Sequence, residues 1–248
     1  YPTIEQRNSK SLEFYRVELS DTALILHGDV YNRPGNWVRM SSSSVLKGRT
    51  TGKTYRLVRA TGIELDKQET MPESWNRSFS LQFEPVDPQD KLVDFDEALA
   101  EENGWKIEGI SLEEKEKKGM LCHIEGQVVD NPTYSRLVLV PEWTDTRSND
   151  WISIPVRDGK FSYDLYVERP AMYELYAWSD QMNGSWMPVS FIADEGKVEF
   201  TFQHADEAAE WTSDIKLNQE YLRFQKETDD KFMIPLRKEE EALEAAGK

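Results

Sequence analysis

Residues 151–167 have the sequence WISIPVRDGKFSYDLYV, in which two apolar-rich segments flank the turn Arg157-Asp158-Gly159-Lys160. An Asp-Gly step between such segments is the strongest short-range signal for a β-hairpin. Every second residue of 161–167 is apolar, which is the pattern of a strand with one buried face. The stretch therefore predicts antiparallel β-structure around it.

The same pattern extends outward from this stretch in both directions. About seven strand-like segments fill the second half of the chain, a number typical of a small antiparallel sandwich, and they lie at 123–129, 136–140, 151–156, 161–167, 172–178, 187–192 and 197–202. The first half has further segments at 12–19, 22–31, 37–40, 55–60, 79–83 and 105–110, with turn signals between them. We predict a mainly β fold, with two antiparallel β-sandwich domains and a C-terminal helical extension.

A charged segment at 113–119 separates the two halves, because it has no apolar residue and ends in glycine. A short helix or a strand extension is the alternative interpretation of this segment. We place the first β-sandwich domain at 1–118, the second at 119–205 and the helical extension or linker at 206–248.

The extension is predicted to start its helix at Ser213 or Asp214, either of which is a suitable N-cap residue. Pro235 should kink or end that helix. Residues 237–246 favour a helix but have almost no apolar stripe, and a helix of this kind more often bridges to another partner than packs on its own domain. The predicted interface positions are the apolar residues Leu217, Tyr221, Phe224 and Phe232.

The composition excludes several functions. The formal net charge is −16 and the pI is about 4.7, so the chain should repel phosphate backbones and is not expected to bind nucleic acid. It also has no polybasic membrane patch, and no stretch approaches the ~20 apolar residues of a membrane helix. The chain opens with Tyr1-Pro2, and we expect that any targeting segment has been removed.

Cys122 is the single cysteine, so the chain cannot form an intramolecular disulfide, a Cys-x-x-Cys redox pair or a cysteine-based zinc site. It lies in an apolar segment, where we expect a buried, inert thiol. His123 should point to the opposite face of the strand, which argues against a Cys/His catalytic pair.

The order of several short motifs resembles a known family. These motifs are Ile124-Glu125-Gly126, the hairpin at 156–161, Pro170-Ala171-Met172-Tyr173 and Leu217-Asn218. Over roughly residues 122–245 the chain is similar to the small β domain of the DUF4369 type. That domain precedes the thioredoxin fold in thiol-disulfide oxidoreductase lipoproteins of the Bacteroides group. The first half resembles, more loosely, the extra β domain of some of these lipoproteins.

The resemblance implies a non-catalytic accessory region, used for protein contacts or substrate positioning. The full-length protein would then be a thiol-disulfide oxidoreductase, whose Cys-x-x-Cys domain is absent from these residues. The implied partners are a thioredoxin-like domain in cis or another protein, with a homodimer through the C-terminal helix as a further arrangement. The implied location is extracytoplasmic, in the periplasm or at the outer membrane through a lipid anchor that has been removed.

A cell-surface carbohydrate- or ligand-binding sandwich is the alternative. Trp143 and Trp186 flank polar loops and are its candidate contact residues. Acidic residues are numerous enough for a carboxylate-based hydrolase, but the sequence cannot show two of them held across a cleft. No Gly-x-Ser-x-Gly motif supports a Ser-His-Asp site. We therefore predict no catalytic residues, no cofactor and no metal.

Overall fold

The computed structural model describes residues 2–97, 104–114, 117–144, 151–184, 187–203 and 209–245, and over these residues the fold is mainly β. The strands that precede the charged segment are β1 (Gln6–Arg7), β2 (Leu12–Leu19), β3 (Leu24–Tyr31), β4 (Trp37–Val38), β5 (Val45–Gly48), β6 (Thr54–Thr61), β7 (Glu69–Thr70), β8 (Asn76–Phe83), β9 (Leu92–Asp96) and β10 (Lys106–Ser111). Those that follow it are β11 (Met120–Val128), β12 (Arg136–Pro141), β13 (Ile152–Pro155), β14 (Lys160–Val167), β15 (Ala171–Ala177), β16 (Val189–Ala193), β17 (Gly196–Phe202) and β18 (Glu210–Ser213). The helices are α1 (Trp178–Asn183), α2 (Lys216–Thr228) and α3 (Ile234–Ala245), with a π turn at Asp229–Met233 between the last two.

The first unit is an eight-stranded sheet in the order β1-β10-β9-β5-β6-β8-β3-β2, with β4 and β7 forming a separate ribbon. The sheet folds back on itself, since the ring of Phe95 on β9 lies 5.2 Å from the ring of Phe14 on β2. Strand β6 pairs with β5 on one side and with β8 on the other, and its pairing with β8 has a register shift between Leu57 and Arg59. Such bulges bend a strand and allow one sheet to enclose a core.

The second unit is a sandwich of two four-stranded sheets, ordered β14-β11-β17-β18 and β13-β12-β15-β16. Its core lies between the sheets and includes Ile124, Leu139, Phe191 and Phe200. All of the pairings are antiparallel except that of β11 with β17, which is parallel. The predicted class, mainly β and sandwich-like with a C-terminal helix, is confirmed.

The Asp-Gly turn forms, but the long hairpin predicted around it does not. Asp158 and Gly159 both have positive φ angles, and Arg157 and Lys160 exchange two backbone hydrogen bonds. Beyond this single bridge the strands separate, because β13 pairs with β12 in one sheet and β14 pairs with β11 in the other. The turn is therefore the corner at which the chain crosses between the two layers.

A buried aromatic cluster joins the two units. Tyr31 and Trp75 from the first unit contact Trp178 from the second, with ring centroids 5.8 Å apart in each pair. The guanidinium of Arg136 lies 3.8 Å from the centre of the Tyr31 ring and 4.1 Å from that of Trp178. Its Nη1 donates to the carbonyl of Lys10 over 2.8 Å. We call Tyr31, Trp75, Arg136, Trp151, Tyr176 and Trp178 the junction cluster.

Candidate protein-contact site

The C-terminal helix is anchored to the second unit by its first turns. Asn218 is fully buried, and its side chain accepts from the N–H of Ile192 over 2.7 Å and donates to the carbonyl of the same residue over 2.8 Å. This pair of bonds completes the backbone pairing that the end of β16 would otherwise lack. The Leu-Asn motif therefore has a structural role, which holds the start of α2 against the sandwich.

The helix begins slightly later than predicted. Ile215 is the N-cap residue, and no side chain caps the helix. Ser213 and Asp214, the predicted caps, have other partners, since Asp214 accepts from the N–H of Lys197 and Ser213 donates to the carbonyl of that residue. Residues 210–213, which the sequence assigns to the extension, form β18 along the edge of β17. The predicted cap position is wrong because Asp214 binds the backbone of β17, and the backbone N–H that Ser213 accepts from belongs to Ile215, the cap residue itself.

The contacts with the body end after about two turns of helix. The ring of Tyr221 packs against the ring of Trp211, with centroids 6.4 Å apart. From Arg223 to Ala245 every residue except Thr228 is exposed. The helix from Lys216 to Ala245 is about 45 Å long at 1.5 Å per residue, so most of its length stands away from the rest of the described chain.

Apolar residues form a stripe along this exposed length. Phe224 is 67% exposed, Phe232 61%, Leu236 52% and Leu243 55%, while Leu217 at the anchored end is 38% exposed. We call these five residues the helix stripe. Large aromatic side chains at this exposure on one face are unusual for a surface that contacts only water. Of the four predicted interface positions, Leu217, Phe224 and Phe232 belong to the stripe, whereas Tyr221 packs mainly on its own domain.

The sequence predicts that Pro235 kinks or ends the helix, and the helix does not end there. A π turn at Asp229–Met233 lies immediately before the segment that contains Pro235. Proline cannot donate the usual backbone bond and its ring clashes with the carbonyl four residues earlier, and the wider turn relieves that clash. A π turn also holds one more residue than an α turn, so it rotates the following segment back by roughly 100°. This rotation aligns Phe232, Leu236 and Leu243 with Phe224.

Trp143 is the most exposed aromatic residue on the described chain, at 91%. It lies in the turn after β12 and has a positive φ of 67°. Trp186, the second predicted ligand contact, lies outside the described residues. The predicted pair therefore provides one exposed ring whose surroundings can be described.

A cleft of about 550 Å³ opens where the two units meet. Its lining includes Asn76 from the first unit and Tyr134, Ser135 and Asp158 from the second. The hydroxyl of Ser135 is buried there and has no hydrogen-bond partner within the described residues. No sequence pattern indicated this cleft, since the residues of its two walls, at 74–76 and 128–159, are about 50 to 85 positions apart along the chain.

Cys122 is fully buried on β11, and burial raises the pKa of its thiol to about 11. The thiolate is the reactive form, so almost none is present at neutral pH. The neighbouring His123 points to the outer face, where its Nδ1 lies 2.6 Å from Asp164 and its Nε2 lies 3.0 Å from Glu125. Hydrogen bonds to Asp164 and Glu125 raise the pKa of His123. The thiol and the imidazole therefore have separate environments.

A serine, a histidine and a carboxylate do line up on the outer face of the first unit, which the sequence did not suggest. Ser80 Oγ lies 2.8 Å from His27 Nδ1, and His27 Nε2 lies 3.0 Å from Glu18. Acyl transfer also needs N–H donors placed to bind an oxyanion. Ser80 is on β8, which pairs with a strand on each side, so the sheet uses the backbone donors next to it. Three separate strands bring these residues together, so no spacing motif could have revealed them.

Comparison with known proteins finds no matching family model, no similar curated protein and no similar solved structure. Within the described residues, no helix is both long and apolar enough to cross a membrane, and no group of three or more His, Cys, Asp or Glu side chains is arranged to hold a metal ion. The geometry of this chain is therefore the basis for a functional proposal.

Proposed function

We propose that this chain is the non-catalytic, protein-contact region of an extracytoplasmic thiol-disulfide oxidoreductase, and that its C-terminal helix is the contact element. In this role the two β units form a rigid support, and the helix positions a thioredoxin-like domain, in cis or on another protein. The support comes from the junction cluster, which ties the two units together through a buried arginine and five aromatic rings.

The observation that carries the proposal is the contrast within one helix. Its start is held by the buried Asn218, while Phe224 and Phe232 are more than half exposed. A polar isolated helix gains little stability in water, and most helical stability in proteins comes from packing of an apolar face. The stripe therefore favours a protein partner along the outer part of the helix.

The single buried thiol supports a non-catalytic role in disulfide exchange. Exchange in a dithiol enzyme requires a reactive thiolate and a second, resolving thiol. Cys122 has a raised pKa and no second cysteine in the chain. We expect no catalysis of insulin reduction by this chain, and the same result for Cys122→Ser.

The contact role is tested with a photo-crosslinking amino acid placed at Phe224 and, as a matched control, at Lys226 on the opposite side of the helix. A thioredoxin-like domain encoded downstream in the same reading frame, or supplied as a separate protein, is the partner tested. We expect an adduct with that domain or with a second copy of the chain from position 224 and none from position 226. Equal labelling from the two positions, or no adduct from either, would contradict the proposal.

Trp143 favours a second candidate, the carbohydrate-binding module. An exposed indole can stack on a sugar ring, and the cleft at the junction of the two units offers hydroxyl and carboxylate groups for hydrogen bonding. A glycan screen tests this candidate with the natural chain and with Trp143→Ala and Trp37→Ala, the latter also more than half exposed. Binding lost only in Trp143→Ala would support it, and the absence of any bound glycan would reject it.

A further inference from the structure

We propose that the partner of the helix stripe is the same stripe on a second copy of this chain, paired antiparallel. This inference rests on the proposed function, since it names the contact that the exposed helix makes. It depends on three features of residues 216–245: the spacing of the stripe, the symmetry of that spacing and the distribution of charge.

The spacing of the stripe suits two helices packed side by side. The steps from Leu217 to Tyr221, Phe224 and Thr228 are four, three and four residues, as in the seam of a coiled coil. The next step, to Phe232, spans the π turn, whose extra residue returns the seam to the same face. Thr228 is the one polar member within this run, and its hydroxyl donates to the carbonyl of Phe224, so the hydroxyl is satisfied within its own helix.

The stripe is symmetric about its centre at Asp230. In an antiparallel pair centred there, Leu217 faces Leu243 of the other copy, and Phe224 faces Leu236. Thr228 then faces Phe232, so a large side chain meets a small one near the middle. Each apolar residue of the stripe thus meets an apolar or small partner, as burial of the stripe requires, while Tyr221, which packs on Trp211, faces Glu239.

The charges of the two ends select this orientation. The anchored end, 216–226, carries Lys216, Arg223 and Lys226 against Glu220, which is a net charge of +2. The outer end, 237–245, has two basic residues and four acidic ones, a net charge of −2, and these are Arg237, Lys238, Glu239, Glu240, Glu241 and Glu244. Antiparallel pairing places the basic end of one helix beside the acidic end of the other, whereas parallel pairing places like charges together. The acidic middle segment faces its own copy in both arrangements and does not discriminate between them.

The oligomeric state is measured first, by sedimentation equilibrium of the whole chain at micromolar concentration. Phe224→Gln/Phe232→Gln removes the two central rings and keeps the net charge and good helix formers. Lys226→Gln/Asp230→Gln is the matched control, since it also introduces two glutamines at exposed positions with no change in net charge. We expect a dimer whose dissociation constant rises at least about tenfold in the phenylalanine variant and changes little in the control. A monomeric natural chain, or equal effects of the two variants, would overturn self-pairing.

The orientation is tested by disulfide trapping, which is practicable because the native Cys122 is buried. Leu217→Cys and Leu243→Cys are prepared singly with different tags, mixed and oxidised. Antiparallel pairing gives only the mixed, doubly tagged disulfide dimer. Self-crosslinked dimers of each single variant would show parallel pairing and overturn the proposed orientation.

Different results would contradict the contact function and the self-pairing of the helix stripe. A monomer whose position 224 still labels a thioredoxin-like domain would overturn self-pairing and leave the contact function in place. A monomer with no adduct from position 224 would overturn both.

Discussion

The junction cluster and the helix stripe both contain aromatic side chains, but only those of the junction cluster are buried by contacts within the described chain. At the junction, Trp178 is 8% exposed and packs against Tyr31 and Trp75. On the helix, Phe224 is 67% exposed and contacts no ring of its own chain among the described residues. The comparison shows that aromatic content marks a contact surface, whereas only the fold shows whether its partner belongs to the same chain.

The two regions also differ in how they use charge. Arg136 is buried at the junction, where desolvation lowers its pKa while the Tyr31 and Glu13 groups oppose that effect. Asp29, also buried, accepts from the hydroxyl of Tyr31 over 2.9 Å and pairs with Arg157 of the second unit. On the helix the charged groups are exposed and flank the stripe. The charged groups at the junction therefore form contacts between the two units. Those on the helix can affect only the orientation of a partner.

The largest effect is expected from Arg136→Ala. Removing one member of a buried charged cluster costs roughly 3–5 kcal/mol, because the remaining groups stay buried without their partner. For a chain of this size that destabilisation lowers the Tm by roughly 6–20 °C in differential scanning calorimetry. Arg33→Ala is the control, since Arg33 also bridges the units, through the carbonyl of Met182, but is exposed. Equal decreases in Tm for the two variants would mean that Arg136 does not stabilise the junction.

Asn218→Ala should weaken the anchored end of the helix. Leaving the N–H and carbonyl of Ile192 without partners costs roughly 1–3 kcal/mol. Hydrogen exchange followed by mass spectrometry should show faster exchange in β16 and the first turn of α2. Glu220→Ala, at an exposed position two residues later, should leave that exchange unchanged. Unchanged exchange in both variants would place the anchor elsewhere.

Because the Cys122 thiol is buried, we expect the free energy of unfolding to decrease at alkaline pH. Its folded pKa of about 11 is above the ordinary value of 9.0, so the native state holds the proton more tightly than the unfolded state. The stabilisation is therefore fully present below pH 9 and is lost as pH rises through 11, by roughly 2 kcal/mol in total. Urea unfolding between pH 9 and 10, before most tyrosines ionise, should show a steeper decline for the natural chain than for Cys122→Ala. Identical slopes would show that the thiol is not desolvated.

The smallest effect on folding is expected from Phe224→Gln/Phe232→Gln, in contrast to the junction. Because neither ring packs on the body, the free energy of unfolding of the monomer should change by no more than about 0.5 kcal/mol. Thermal unfolding at high dilution, where self-association is absent, measures this quantity. A loss comparable to that of Arg136→Ala would mean that the stripe folds back on its own chain, and the contrast between the two regions would disappear.

Much of the β architecture was predictable, because alternation of apolar and polar residues is a local property. Residues 12–19 and 161–167 lie within strands, and in the second of these Phe161, Leu165 and Val167 are buried as the alternation predicts. The partners of these strands were not predictable. The Asp-Gly turn correctly predicted a reversal of the chain, but β13 and β14 enter different sheets, since the core is buried by stacking two layers rather than by extending a hairpin.

The candidate site was partly predictable. Leu217, Phe224 and Phe232 were selected as apolar residues on an otherwise polar helix, and all three are exposed. Tyr221 was selected for the same reason, but the ring of Trp211 covers it, and Trp211 comes from a strand that sequence patterns did not indicate. The π turn that aligns the stripe was not predictable either, because a proline indicates a break in a helix without specifying how the backbone adapts.

The sequence by itself determined the mainly β class, the helical extension, the absence of a dithiol and the acidic charge, because each depends on local periodicity or on composition. Only the tertiary structure decided which aromatic residues are buried at the junction and which remain exposed on the helix. That distinction depends on contacts between residues such as Tyr31 and Trp178, which are far apart along the chain. No local pattern encodes such contacts, since the same aromatic side chain can fill a core or face a partner.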